Sequence, residues 1–292
     1  MARCPARDGR APLRPRPFRP RPQRRAAPRA RGSSRFGPRE RALIPALALL
    51  HGFTGSGRSF DHLRDPLEAR FRILAPDLPG HGASPDATGW DDALDSLAAA
   101  LGPDPFFLAG YSMGARLALG YALRFPDRVR ALVLESGSPG IADPDERAGR
   151  KFEDEALATM AEREGIEAFV DRWEKHPTLA TLRNLGEPMA TELRERRRQN
   201  RVEGLASALR HLGSGAQPSL WKALVRLRPP TLILAGERDP KFSAIARSMA
   251  RAIPGARLRL FAGAGHAPHL EAPDEYVTAV LDHFTPREGT RP

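Results

Sequence analysis

A serine between two glycines, Gly110-Tyr111-Ser112-Met113-Gly114, follows the apolar run Phe106–Ala109 and opens a helix-like segment. In that context G-x-S-x-G describes a sharp strand-to-helix turn that lifts the serine oxygen above the end of a sheet, the glycines permitting the tight backbone. A serine hydroxyl is a poor base and a poor nucleophile at neutral pH. It needs an imidazole beside it, and the imidazole needs an acid to fix its tautomer. Two later segments supply these groups in the chain order Ser, Asp, His that such a turn implies. Asp239 follows the run Thr231–Leu234, and His266 stands in Gly263-Ala264-Gly265-His266 just past Arg257–Phe261. Each position has a rival reading. Asp239 is also well placed to cap a helix, Glu135 at the end of Ala131–Leu134 is a second candidate acid, and His269 is a second candidate imidazole. The glycines before His266 favour that histidine.

Charge that develops on a substrate oxygen needs backbone donors. One should come from the loop His51-Gly52-Phe53 and one from the residue after the serine, which names Phe53 and Met113 as the oxyanion pair. His51 and the segment Asp77-Leu78-Pro79-Gly80-His81-Gly82 read as support for that loop rather than as reactive groups.

These residues have to be held at the ends of strands, and the chain from Leu43 onward alternates short apolar runs with helical segments, as an α/β protein with a mostly parallel sheet does. The runs Ala46–Leu50, Arg72–Ala75, Phe106–Ala109, Ala131–Leu134, Thr231–Leu234 and Arg257–Phe261 read as buried strands. Asp91–Leu101, Ala115–Phe125, Ser243–Ala252 and Asp274–Phe284 read as helices, the last behind Pro273. Between Ile141 and Trp221 no strand is evident, and charged helices jointed by Pro and Gly indicate an inserted lid. The expected organisation is a tail 1–41, a core in two parts 42–140 and 222–286 around a lid 141–221, and a flexible end 287–292.

The formal charge of +11 resides in the tail, where residues 1–41 carry fourteen arginines against Asp8 and Glu40. The rest of the chain, with 32 basic and 33 acidic residues, is close to neutral. A segment so rich in Arg and Pro has too few apolar groups to order itself, so non-specific nucleic-acid contact is expected of the tail alone. The longest apolar stretch, Ala42–Leu50, contains Pro45 and is far short of the roughly 20 residues of a membrane span. The single cysteine, Cys4, rules out an internal disulfide framework and a cysteine-rich zinc site, and fits a reducing cytoplasm.

Over about Leu47 to Phe284 the sequence resembles a family of α/β-hydrolase-fold enzymes, the 2-succinyl-6-hydroxy-2,4-cyclohexadiene-1-carboxylate synthases (MenH) of menaquinone biosynthesis. The resemblance runs through Leu50-His51-Gly52-Phe53-Thr54-Gly55-Ser56, Gly110-Tyr111-Ser112-Met113-Gly114-Ala115-Arg116 and Glu135-Ser136-Gly137-Ser138-Pro139-Gly140. It continues through Gly213-Ser214-Gly215-Ala216-Gln217-Pro218-Ser219-Leu220-Trp221, Gly236-Glu237-Arg238-Asp239-Pro240-Lys241-Phe242 and Gly265-His266-Ala267-Pro268-His269-Leu270-Glu271. It implies a lyase that eliminates pyruvate from a polycarboxylate small molecule, with neither a metal nor an organic cofactor, Ser112 and His266 acting as base and Asp239 orienting the imidazole. It implies substrate contacts by Tyr111, Arg116, Arg150, Trp173 and Arg196, with Arg197 an alternative to Arg196 within a run of arginines. Arg116 has support from spacing, since four residues past Ser112 is one helical turn and the same side of the helix. Glu192 and Arg196 are also an ordinary i,i+4 pair. Two features depart from the family: Ala115 stands where glycine is commoner, and no opening strand hairpin is visible before Leu43, so that edge of the sheet is either shortened or paired by part of Arg29–Arg41. A hydrolase acting on ester or carbon–carbon bonds would use the same three residues, but has no need of several arginines.

Overall fold

The computed structural model describes residues 44–285 and Met1. The expectations for the tail, for an opening hairpin within Arg29–Arg41 and for the end 287–292 lie outside the described residues.

Among the described residues six strands form one parallel sheet: β1 (Ala46–Leu50), β2 (Arg72–Leu74), β3 (Phe106–Tyr111), β4 (Val129–Glu135), β5 (Thr231–Gly236) and β6 (Arg257–Phe261), in the order β2-β1-β3-β4-β5-β6. Central strands are apolar on both faces because both faces are covered. Ala48 and Leu50 join Leu108, Leu132 and Leu134 in one core layer, while Leu47 and Leu49 join Ala109, Val133 and Leu234 in the other. The first layer is closed by α2 (Trp90–Leu101), α3 (Met113–Arg124) and α7 (Pro240–Ala252), numbered along the chain with α1 as Arg64–Glu68. The second is closed by α1 and by α9 (Pro273–Phe284), which follows the single turn α8 (Pro268–Glu271).

Between β4 and β5 run α4 (Pro144–Trp173), a 3-10 segment Pro177–Asn184, α5 (Met189–Arg198) and α6 (Val202–Leu212). Asp143 caps α4 by accepting from the Asp145 and Glu146 amides, Pro144 fills the first helical position, and Gly165 at φ 83° breaks the helix partway. Leu205, Ala206 and Leu209 of α6 pack against Ala158, Ala161, Phe169 and Val170 of α4. This helical layer has a core of its own, and Phe53 from the loop after β1 packs against it.

The strand order reverses between β1 and β3. In an open α/β sheet the crevice at the carboxyl ends of such strands is where ligands bind. The loop Gly52–Phe53 follows β1 and Ser112 follows β3.

Candidate active site

Ser112 sits between β3 and α3 with φ 51° and ψ −109°, a left-handed conformation that a residue with a β-carbon adopts only under constraint. The constraint is visible. The Ser112 amide donates to the Glu135 carbonyl at 2.8 Å, which ties the turn to β4. A β-carbon at Gly114 would come within 2.1 Å of the Leu50 carbonyl oxygen, so the turn is pressed against β1 and only glycine fits.

His266 Nδ1 donates to Asp239 Oδ2 at 2.7 Å. That leaves Nε2 as acceptor for the Ser112 hydroxyl at 3.0 Å. Asp239 and His266 are both buried, and the Phe242 ring stands edge-on to the imidazole at 4.5 Å. The capping reading of Asp239 is also correct, because its other oxygen, Oδ1, accepts from the Phe242 amide at 3.1 Å at the start of α7. One carboxylate serves both the helix and the imidazole.

The two rivals, Glu135 and His269, pair with each other. Glu135 Oε1 accepts from the His269 amide at 3.0 Å and from His269 Nδ1 at 2.8 Å, with both side chains buried. Neither reaches Ser112 Oγ in place of His266 among the described residues. The ring of Tyr111 lies 4.5 Å from that of His269 and 5.5 Å from that of His266. Burial, with the Glu135 carboxylate adding to it, pushes the Tyr111 phenol well above its ordinary range, so it stays neutral.

The loop after β1 is held by two buried histidines. His51 Nδ1 donates to the Gly52 carbonyl (2.8 Å) and Nε2 accepts from the Leu78 amide (2.9 Å). His81 Nδ1 donates to the Pro79 carbonyl (3.1 Å) and Nε2 accepts from the Thr54 amide (3.1 Å). Both must be neutral to accept in this way, and burial pushes His51 down to about 4 and His81 to about 3. From the helical layer, Asn200 donates to the Thr54 carbonyl at 3.0 Å and accepts from the Gly82 amide at 3.2 Å. The Phe53 and Met113 amides, expected as the oxyanion pair, donate to no acceptor among the described residues.

Ser112, His266, Phe53 and Met113 open into a cavity of about 1020 Å³ between the sheet ends and the helices that follow β4. Tyr111, Arg116, Arg150, Trp173, Arg196 and Arg197 all line it, so every residue expected to contact substrate is brought to one space. Trp173 stands edge-on to Phe53 at 5.0 Å. Arg116 is buried; its Nη1 donates to the Leu212 carbonyl (2.8 Å) and to Gln217 Oε1 (3.2 Å). Burial lowers its guanidinium to about 10, with the Arg150 charge adding and Asp154 opposing, so it remains a cation at neutral pH. Arg150 Nε donates to Asp154 Oδ1 at 2.8 Å. Arg196 pairs with Glu192 as its spacing anticipates, yet its Nε is buried without a partner among the described residues. Arg197 donates to Glu174 at 2.8 Å.

Lys241 also lines the cavity and was not singled out by its sequence position, nor were Phe242, Asn200, Asp154 and Gln217. For Gln217, Lys241 and Phe242 a signal existed, because they stand inside segments that carry the family resemblance. No group of three or more metal-ligating side chains occurs among the described residues, and no helix of them is long and apolar enough to cross a membrane.

The α/β-hydrolase fold family model matches residues 45–273. A Klebsiella pneumoniae 2-succinyl-6-hydroxy-2,4-cyclohexadiene-1-carboxylate synthase is 34% identical over 241 residues, covering 81% of this chain and 92% of that protein. A Bacillus subtilis protein that carries the same synthase name provisionally is 36% identical over 248 residues, covering 82% of this chain and 90% of its own. This chain belongs to the MenH family. Its fold agrees: MenH from S. aureus superposes with a TM-score of 0.80 at 35% identity, covering 82% of this chain and 93% of that one. The synthases of this family are lyases, so the Ser112–His266–Asp239 arrangement occurs in a family whose named reaction is not a hydrolysis.

Proposed function

We propose that this chain eliminates pyruvate from 2-succinyl-5-enolpyruvyl-6-hydroxy-3-cyclohexene-1-carboxylate to give 2-succinyl-6-hydroxy-2,4-cyclohexadiene-1-carboxylate, in menaquinone biosynthesis in the cytoplasm. The observation that carries this reading is a Ser112–His266–Asp239 hydrogen-bond chain opening into a cavity walled by four arginines. A substrate with three carboxylates calls for several planar, permanently charged donors, whereas a neutral ester calls for none.

In this reading Ser112 and His266 act together as base. His266 Nε2 draws the proton of the Ser112 hydroxyl as Oγ takes the proton from ring carbon 2, next to the succinyl ketone. The electron pair forms the 2,3 double bond, the 3,4 pair shifts to 4,5, and the bond from carbon 5 to the enolpyruvyl oxygen breaks. Enolate charge on the ketone oxygen is held by the Phe53 and Met113 amides. The departing pyruvate enolate takes up the proton now on His266. Asp239 stabilises the imidazolium between the two transfers, and no covalent enzyme intermediate forms. Residues 141–221 act as the lid that keeps water out, Tyr111 and Trp173 shape the walls, and Arg116, Arg150 and Arg196 or Arg197 bind the carboxylates.

The test is pyruvate release from the purified enolpyruvyl precursor, followed by coupling to lactate dehydrogenase. Stoichiometric pyruvate with the cyclohexadiene product is expected. A protein that released no pyruvate while cleaving neutral esters rapidly would be a hydrolase instead.

A further inference from the structure

Two arginines on different elements, Arg116 on α3 and Arg150 on α4, line the same cavity, an arrangement of like charges that is unfavourable unless something holds it. What holds it is the segment after α6. Its start supplies the Leu212 carbonyl to Arg116 Nη1 at 2.8 Å, and five residues on Gln217 supplies Oε1 to the same nitrogen at 3.2 Å. Gln217 is fully buried and its own amide nitrogen is tied to the Ser138 carbonyl at 3.0 Å, so its acceptor oxygen has one orientation. Midway along the segment the Gly215 amide donates to Asp154 Oδ2 at 3.1 Å, while Asp154 Oδ1 accepts from Arg150 Nε at 2.8 Å. The turn is closed on itself by the Gln217 amide donating to the Gly213 carbonyl at 3.1 Å. Its glycines are required by packing: a β-carbon on Gly213 would meet Asp154 Oδ2 at 2.4 Å, and one on Gly215 would meet the Lys151 amide nitrogen at 2.3 Å.

We propose that residues 212–217 are a brace that sets Arg116 and Arg150 side by side as one receptor for a carboxylate-bearing ligand, with Gln217 and Asp154 as the positioning residues. Gln217 uses up one nitrogen of Arg116, which fixes the plane of the guanidinium and leaves the others for the ligand. Asp154 Oδ1 holds Arg150 through both Nε and Nη2 at 2.8 Å, which leaves Nη1 for the ligand, and it partly offsets the repulsion between the two cations. Neither touches the reacting atoms. Both act through an arginine, and that dependence is what can be measured. The inference rests on the polycarboxylate reading of the cavity, but not on the reaction performed there.

The experiment is a pair of double-mutant cycles read by calorimetric binding of tricarballylate, a simple tricarboxylate, to the full-length protein. Gln217→Met keeps the length of the side chain and removes its hydrogen-bonding atoms. It should weaken binding by about tenfold in the wild-type background, the scale of one hydrogen bond to a charged group, and by less than about twofold when Arg116 is already lysine. Asp154→Asn should behave likewise against Arg150→Lys, and it carries the test alone if Gln217→Met does not fold. Equal losses in both backgrounds would mean a general structural role and overturn the brace, as would a wild type that binds no carboxylate. If coupling is found in a protein that releases no pyruvate from the precursor, the brace stands and the proposed reaction falls.

Discussion

Two buried carboxylate–imidazole pairs lie at the ends of neighbouring strands: Asp239 with His266 after β5 and β6, and Glu135 with His269 after β4 and β6. Their distances are almost the same, 2.7 and 2.8 Å, and both carboxylates also accept a backbone amide. The difference lies beyond the imidazole. His266 Nε2 meets the Ser112 hydroxyl and the cavity, whereas the Glu135 pair ties the turn that carries His269 to β4. A carboxylate and a histidine in contact are thus not in themselves a catalytic feature. In the proposed reaction, what gives the first pair its chemistry is a third, strained residue placed at its open nitrogen.

The largest expected effect tests that contrast directly. Asp239→Asn presents the wrong tautomer to Ser112 and should lower turnover by on the order of 10⁴-fold, with Ser112→Ala and His266→Ala at least as damaging. Steady-state pyruvate release with each purified variant is the measurement, and wild-type turnover in Ser112→Ala would end the proposed mechanism. Next, Glu135→Ala should reduce stability in urea unfolding by about 1 to 3 kcal/mol, as expected when the partner of buried hydrogen-bonding groups is removed. Turnover per folded molecule should stay within about tenfold of wild type. A loss as deep as that of Asp239→Asn would place the second pair in the proton path and dissolve the comparison.

Arg116→Lys retains the charge and loses the planar fork. It should cost about 1.5 to 3 kcal/mol in kcat/KM for the precursor, a roughly tenfold to 150-fold loss, and should fall less heavily on hydrolysis of a neutral ester. Equal losses on both would indicate a distorted Ser112 turn. An effect that is absent at neutral pH and appears only on acidification concerns His51 and His81, which donate to no carboxylate among the described residues and are kept neutral by burial. Their ordinary value of 6.5 returns on unfolding, so below it the unfolded chain takes up protons that the folded chain refuses. Stability should be complete above about pH 6.5 and fall as pH drops toward 4, by about 1.4 kcal/mol per pH unit for each histidine. His81→Gln should flatten the slope of urea midpoint against pH between 6.5 and 4; an unchanged slope would show that the imidazole is not the titrating group.

The strands were legible because central strands of a covered parallel sheet are apolar on both faces, leaving short continuous runs such as Ala46–Leu50. Their ends were less so. Gly110, Tyr111, Ala235 and Gly236 still belong to the ladders although the two glycines among them suggest turns. Likewise α3 begins at Met113 and α7 at Pro240, ahead of where periodicity starts. At the site, the motif and chain order sufficed to bring Ser112, Asp239 and His266 to one point. The alternatives posed for Asp239, cap or partner of the imidazole, proved compatible because a carboxylate has two oxygens. Contacts from the helical layer left no local trace. Gln217 and Arg116 are 101 residues apart, and Asn200 and Thr54 are 146 apart. Neither helical periodicity nor a short motif encodes a pairing over such a distance.

The double engagement of Asp239 also makes the first turn of α7 a gauge of the active site. The Phe242 amide is held by the same side chain that holds His266, so any motion that withdraws the Asp239 carboxylate frees both. The hydrogen–deuterium exchange rate of that amide should report how often the carboxylate is withdrawn and the proposed base left unsupported. A ligand that locks the imidazole in place should slow that one amide more than its neighbours further along the helix, giving a label-free readout of occupancy that needs no turnover.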